Sequence, residues 1–491
     1  DADRGQAAGK RNEKFILARP ETSPDDIHGM IPAEGILTSR GGKTSHAALV
    51  ARGMGKVAVV GAESVEIDLE ERRMKVGKRN IREGDWISMD GETGEIFVGE
   101  IDTISPSLED NKDLFRLLDW ADDKSKLEVW ANADTPKDAK NAREFGAKGI
   151  GLCRTEHMFF KPERLPIVQK MILSAPDVNI GDDLAKNEFD SALSELLVMQ
   201  REDFKGILKE MDGLPVVIRL LDPPLNEFLP KKDDLLVEVS KMEARGEIYS
   251  ADFEAKRKLL ERVKSLTETN PMMGLRGVRL GLMFPGINEM QVRAIIEAAC
   301  ELKREGLNPH PKIMIPLIAY VNELKIVQGE LVQTAQKVMN EQGVEVDYKF
   351  GTMIEVPRAA LTADKIAELA DFFSFGTNDL TQMTIGISRD DAEAKFLADY
   401  VTKGILKESP FQTIDVEGVG PLVKMAIEKG RLVKPDLEIG VCGEHGGDPK
   451  SIEFFDEVGL DYVSASPFRV PVARLASAQA QIKAEKNLDS N

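Results

Sequence analysis

Hydrophobic positions fall into two regimes along the chain. Up to about residue 100 they come in short apolar runs, at 15–18, 35–38 and 57–61. Runs at 85–91 and 94–98 follow and read as a hairpin turning at 90–94. Between the first two runs, Ser23, Pro24, Asp25 and Asp26 supply the cap, proline and early acids of a helix start. The expectation is a small, mostly β unit over residues 1–100.

Residues 101–120 carry little strand signal; Pro106, serines and acids precede a helical stretch, which predicts a linker able to act as a hinge. From about residue 124 the pattern changes to short apolar strands alternating with helices. The strands are predicted at 127–131, 149–153, 216–221, 312–317, 350–354, 372–375, 438–441 and 462–465. Eight such units predict a (β/α)8 barrel over residues 121–491. Residues 222–310 are too long for one crossover. With Pro223, Pro224 and a charged helical region at 233–268, they predict an insertion after the third strand, over the barrel mouth.

Composition narrows the function more than the fold. The 491 residues are 42% hydrophobic and 30% charged, as in a soluble globular protein, with net charge −19. That charge argues against a general nucleic-acid or membrane-surface binder, so an anionic substrate needs a local basic cluster. Cys153, Cys300 and Cys442 form no disulfide framework and fit a reducing compartment, the cytoplasm or an organelle. No apolar run is long enough to span a membrane and none resembles a signal peptide. The chain opens on Asp1 rather than a methionine, and the expectation is a piece of a longer polypeptide.

The first candidate chemistry is Gly41-Gly42-Lys43-Thr44-Ser45-His46-Ala47-Ala48. The glycine pair frees the backbone to turn its N–H groups inward, and Thr44 and Ser45 are good N-cap residues. The alanines that follow predict a small-residue helix with His46 at its N-terminus, where amides and dipole favour an added phosphoryl charge. A capped helix with a histidine in its first turn would look the same, so the barrel must decide.

In a barrel of this kind the chemistry sits just past the strand C-termini. The predicted strands end in Arg154-Thr155-Glu156, Arg219 to Asp222, Glu355, Gly376-Thr377-Asn378-Asp379 and Cys442-Gly443-Glu444-His445. A single arginine there would be read as a rim salt bridge with Glu156 or Asp222, but two at neighbouring strand ends are read as holding a phosphoryl group. Glu355 and Asp379 offer hard oxygen ligands for Mg²⁺; Asp379 could instead cap a helix. Cys442 could move a proton, or be a small buried hydrophobe as lone cysteines often are. Cys153 and Cys300 are read as packing, His157 and His445 as supporting groups, and His28 and His310 as surface residues.

Together these segments resemble the pyruvate, phosphate dikinase family. The resemblance rests on 41–55, 151–160, 218–224, 353–358, 375–382 and 442–448, and covers nearly the whole chain. It is shared in part with phosphoenolpyruvate synthase and with the phosphoenolpyruvate-protein phosphotransferase of the sugar phosphotransferase system. Those are the alternative readings, and a non-catalytic regulatory chain is a third. His157 with Phe159-Phe160, Leu221 to Pro224, and Glu444 to Asp448 favour the dikinase. Lys43 departs from the methionine more usual in the family, and Leu275 stands where relatives vary.

The resemblance implies a swivelling phosphohistidine domain followed by a phosphoenolpyruvate/pyruvate barrel, with the family's preceding ATP-grasp domain absent here or on another chain. It implies His46 and Cys442 as catalytic, Arg154, Arg219, Gly376, Thr377, Asn378 and Asp379 as substrate-binding, and Mg²⁺ on Glu355 and Asp379. Homodimerisation through the barrel is implied as well. Thr44 is placed where an added charge would block transfer.

Overall fold

The structure, a computed structural model, describes residues 1–11, 13–22, 26–41, 47–48, 51, 56–69, 71–91, 93–102, 112–178 and 180–489. It divides into two compact units, Asp1–Asp119 with Asp390–Lys407, and Trp120–Arg389 with Glu408–Asn491.

The first unit opens on a helix, Ala2–Lys10, capped by the Asp1 carboxylate. Its central sheet is parallel, in the order β1 (Ile16–Arg19), β2 (Gly35–Thr38), β3 (Val57–Val59). β2 is buried along its whole length, which explains its continuous apolar run. Leu17 and Ile36 pack on one face with Met30, Ala33, Ala47 and Ala51. Leu37 and Val59 pack on the other with Val65, Met74 and Ile81.

Those last three belong to an antiparallel sheet that the hydrophobic pattern did not predict: β4 (Val65–Asp68), β5 (Arg73–Val76) and β6 (Arg79–Arg82). Each strand is four residues long and buries one side chain fully, so its apolar signal is a single residue among charges. The predicted hairpin is present as β7 (Ile87–Met89) and β8 (Ile96–Val98), with Gly94 at φ 75° donating to the Asp90 carbonyl. Of the predicted linker, residues 103–111 lie outside the described residues, and Lys112–Lys124 is a helix.

The second unit is a closed barrel of eight parallel strands: β9 (Glu128–Asn132), β10 (Ile150–Arg154), β11 (Pro215–Arg219), β12 (His310–Ile315), β13 (Lys349–Ile354), β14 (Phe372–Phe375), β15 (Glu438–Val441) and β16 (Tyr462–Ala465). β16 pairs back onto β9. The interior is filled by Trp130, Leu152, Val217, Met314, Met353, Phe372, Cys442 and Tyr462. Trp130 stacks on Tyr462 with centroids 3.9 Å apart, and the Lys312 ammonium lies 4.8 Å from the Trp130 ring centre. Gly440 makes room for Tyr462, because a Cβ there would sit 2.1 Å from the ring.

The insertion after the third strand is shorter than predicted. Helix Pro285–Arg304 packs on the neighbouring helices Asp183–Glu210 and Val321–Gln342 and is the crossover's own helix. The added elements are Leu225–Phe228, Lys232–Ala244, Ala251–Leu266 and Pro271–Met273. The first three share a second core with helix Leu165–Val178, through residues such as Met171, Phe228, Val239 and Leu260. No helix of the described residues is long and apolar enough to cross a membrane.

Candidate active site

Every barrel residue predicted to carry chemistry lies at the same end of its strand. Arg154 and Arg219 close β10 and β11 and stand opposite each other in the register. Glu355 follows β13, Gly376 follows β14 and leads into helix Thr377–Ile385, and Cys442 follows β15. His46, with Gly42, Lys43, Thr44 and Ser45, lies outside the described residues.

The arginines already have acid partners. Arg219 is paired with Glu156, and its Nη1 lies 3.0 Å from Asp222. Burial alone would lower its pKa, but Asp222 and Glu156 outweigh burial and hold it well above the ordinary value. The Arg154 backbone N–H donates to Asp134 at 2.6 Å, and its guanidinium lies 3.5 Å from the same carboxylate. His157 Nδ1 is 2.8 Å from the other Asp134 oxygen.

A third arginine was not read from the sequence. Arg276 is buried and donates to Asp222 at 2.7 Å and to Asp379 at 3.4 Å. It follows the insertion, between Leu275 and the left-handed Gly277, whose N–H donates to the Asp222 carbonyl. Asp222 is wholly buried, which opposes ionisation, yet Arg219 and Arg276 hold its carboxyl below the usual range. Arginine on both sides thus keeps a buried acid charged.

Glu355 is the most constrained acid. It is fully buried; Oε1 accepts the Leu317 N–H at 2.6 Å, and Oε2 has no hydrogen-bond partner. Leu317 donates from a left-handed backbone, φ 62°, at a cost of about 1–2 kcal/mol. Gly376 makes room, because a Cβ there would lie 2.6 Å from Glu355 Oε2. Burial first, then Asp222 and Asp379, push the Glu355 carboxyl well above its usual range.

A carboxyl raised on folding contributes stability at acid pH that is lost as pH rises through its folded value. Glu355→Gln is therefore expected to raise the Tm of the metal-free chain at pH 8 by about 2 °C or more. Near pH 4.5 the same substitution should change it little. Thermal scans at both pH values check this, and an equal shift at both would exclude the charge as its cause.

Cys442 is 1% exposed, and its thiol faces the Phe375 carbonyl at 3.7 Å. Burial raises its pKa, while Ser374 and then Arg219 and Arg154 pull it down. Ser374 pairs with Gly440 and Gly440 with Tyr462 in the ladder, one pleat below Cys442. Ser374 and Tyr462 are both buried. Cys153 and Cys300 are buried among apolar side chains.

The residues that sequence reasoning missed are Arg276, Asp134, Ser374 and Tyr462. Asp134 was within reach, since it lies two residues past β9 as Arg154 lies at the end of β10. Arg276 arrives from 103 residues before Asp379, and no local pattern marks it.

Two family models match the chain. One described as "PEP-utilising enzyme, mobile domain" matches residues 11–94, and one described as "PEP-utilising enzyme, PEP-binding domain" matches residues 109–482. A pyruvate, phosphate dikinase of Giardia intestinalis is 53% identical over 97% of this chain and 52% of its own length. The chloroplastic pyruvate, phosphate dikinase 1 of Arabidopsis thaliana is 51% identical over 98% of this chain and 48% of its own. The Rhizobium meliloti (strain 1021) enzyme is 52% identical over 98% and 51%. The chain thus spans about half the length of these curated relatives. A citrate lyase structure from Burkholderia xenovorans LB400 aligns at TM-score 0.26 and 16% identity, over 38% of this chain and 53% of that one, too little to carry an argument. Because the PEP-binding model runs through all eight barrel strands and the strand ends that hold the arginines and acids, the chain belongs to the family of PEP-utilising enzymes.

Proposed function

We propose that the chain catalyses reversible phosphoryl transfer between phosphoenolpyruvate and His46, the pyruvate half-reaction of pyruvate, phosphate dikinase. The observation that carries this reading is the pairing of Arg154 and Arg219 at adjacent strand ends, beside a buried glutamate with an unpartnered oxygen. The names of the relatives support the dikinase over the other members of the family.

Magnesium fits the acids. Glu355 Oε2 lacks a partner, and Glu355, Asp222 and Asp379 oppose one another's charge. Mg²⁺ takes few protein carboxylates and completes its shell from substrate and water. Glu355 and Asp379 would hold the ion, which would supply charge neutralisation for the enolate and phosphoryl oxygens.

The chain's own groups would do the rest. Arg154 and Arg219 would neutralise the phosphoryl oxygens as the bond to the enol oxygen breaks. Neutral His46 would attack phosphorus in line. Asn378 and the first N–H groups of helix Thr377–Ile385 would hold the substrate carboxylate. The Cys442 thiol would give its proton to the methylene carbon, forming pyruvate and leaving a thiolate that solvent reprotonates. In the longer enzyme an ATP-grasp domain would serve the nucleotide half-reaction, and a homodimer through the barrel belongs to the same reading.

Incubation with Mg²⁺ and ³²P-phosphoenolpyruvate is expected to place acid-labile, base-stable label on the chain with release of pyruvate. His46→Ala should remain unlabelled. No label on a folded chain that binds phosphoenolpyruvate, or label surviving in His46→Ala, would refute the proposal.

A further inference from the structure

His445 is wholly buried, three residues after Cys442 in the same loop. Its Nε2 lies 2.8 Å from the Pro410 carbonyl oxygen and its Nδ1 2.7 Å from Thr377 Oγ1. A carbonyl only accepts, so Nε2 bears the ring proton. Burial pushes the imidazole pKa down, which keeps the ring neutral. Nδ1 must then accept, and the Thr377 hydroxyl must donate to it. The fit is close on the other side too, since a Cβ on Gly443 would lie 2.0 Å from Thr377 Oγ1.

A second bond runs in parallel. The Glu444 N–H donates to Asn378 Oδ1 at 3.3 Å. With its oxygen turned to the loop, Asn378 must turn its amide N–H groups the other way. Thr377 and Asn378 are the first two residues of helix Thr377–Ile385, which also carries Asp379. Two hydrogen bonds therefore join the Cys442 loop to the N-terminus of that helix.

We infer that His445 is a positioning residue: as a buried Nε2–H tautomer it takes the Thr377 hydroxyl hydrogen and so fixes the helix N-terminus with N–H donors, rather than a hydroxyl, facing the substrate carboxylate. The inference rests on the proposed phosphoenolpyruvate site. Thr377 would then serve the substrate through its backbone N–H, because its hydroxyl hydrogen is committed to His445.

The test uses the full chain with Mg²⁺ and phosphoenolpyruvate in calorimetric titrations, together with nitrogen-15 spectra of its five histidines, His445 assigned by substitution. His445→Gln keeps a donor near Pro410 but removes the acceptor at Thr377. His445→Asn keeps the acceptor. His445→Gln and Thr377→Val are each expected to weaken binding about tenfold, with the double variant no weaker than either, and His445→Asn to stay within about threefold.

Losses that multiply in the double variant would overturn the inference, because independent structural damage adds. So would His445→Gln binding like the parent, or a spectrum with Nδ1 protonated. If the parent chain itself fails to bind phosphoenolpyruvate, the functional reading falls. The nitrogen-15 spectrum then decides alone whether His445 accepts from Thr377.

Discussion

Cys442→Ala is expected to stop exchange of the pyruvate methyl hydrogens with solvent while phosphoryl transfer from phosphoenolpyruvate to His46 continues. The two steps use different groups. In the proposed reaction Arg154, Arg219 and the acids would act at phosphorus, and the thiol would act at carbon. Burial keeps Cys442 protonated at neutral pH, so it is ready to give a proton in the direction of pyruvate formation. The nearby arginines, which favour the thiolate, make the reverse abstraction accessible. Loss of a positioned acid–base group costs about 10²- to 10⁴-fold, so exchange followed by proton NMR in D₂O should fall by that order. Without the thiol, the enol formed after transfer leaves the site and ketonises in water. Loss of both activities, or of neither, would mean that the roles are not separate.

The second large effect concerns stability. Arg276→Met is expected to cost about 1.5–3 kcal/mol at neutral pH, because it removes one of the two arginines that compensate the buried Asp222 and weakens the partnership of Asp379 inside the site. The sign with pH follows from Asp222. Its folded pKa is depressed, so its contribution is present above the unfolded value and is lost as pH falls through the folded value. The gap between parent and variant should therefore close as denaturation is measured at progressively lower pH. Adding Asp222→Asn to Arg276→Met should restore about half of the loss or more, since it removes a buried charge left with one arginine in place of two. A loss under about 1 kcal/mol, or no recovery in the double variant, would show that Arg219 alone suffices for Asp222. Mg²⁺-dependent binding of phosphoenolpyruvate should also weaken, because Arg276 orients Asp379.

The barrel was legible because its strands are buried on both faces. The runs at 372–375, 438–441 and 462–465 coincide with β14, β15 and β16, and the ends of the other five strands lie within two residues of their predicted positions. β4 to β6 were not legible, because one buried side chain per four-residue strand leaves no pattern to read. At the site, strand-end position exposed Arg154, Arg219, Glu355, Asp379 and Cys442. It could not expose Arg276, whose place depends on the path of an insertion, nor the direction of the bond between Thr377 and His445. It also could not tell that Gly376 serves Glu355, because a missing side chain matters only once its neighbour is placed.

The stack of Trp130 on Tyr462 gives the chain a built-in optical reporter. Of the three tryptophans, Trp86 and Trp120 are more than half exposed, whereas Trp130 is 4% exposed inside the barrel. Its indole shares that interior layer with Tyr462 and lies beside the Lys312 ammonium. A soluble quencher reaches the first two indoles and not the third, so the residual, blue-shifted emission belongs to the barrel interior. That emission reads the packing directly beneath Cys442 with no label added.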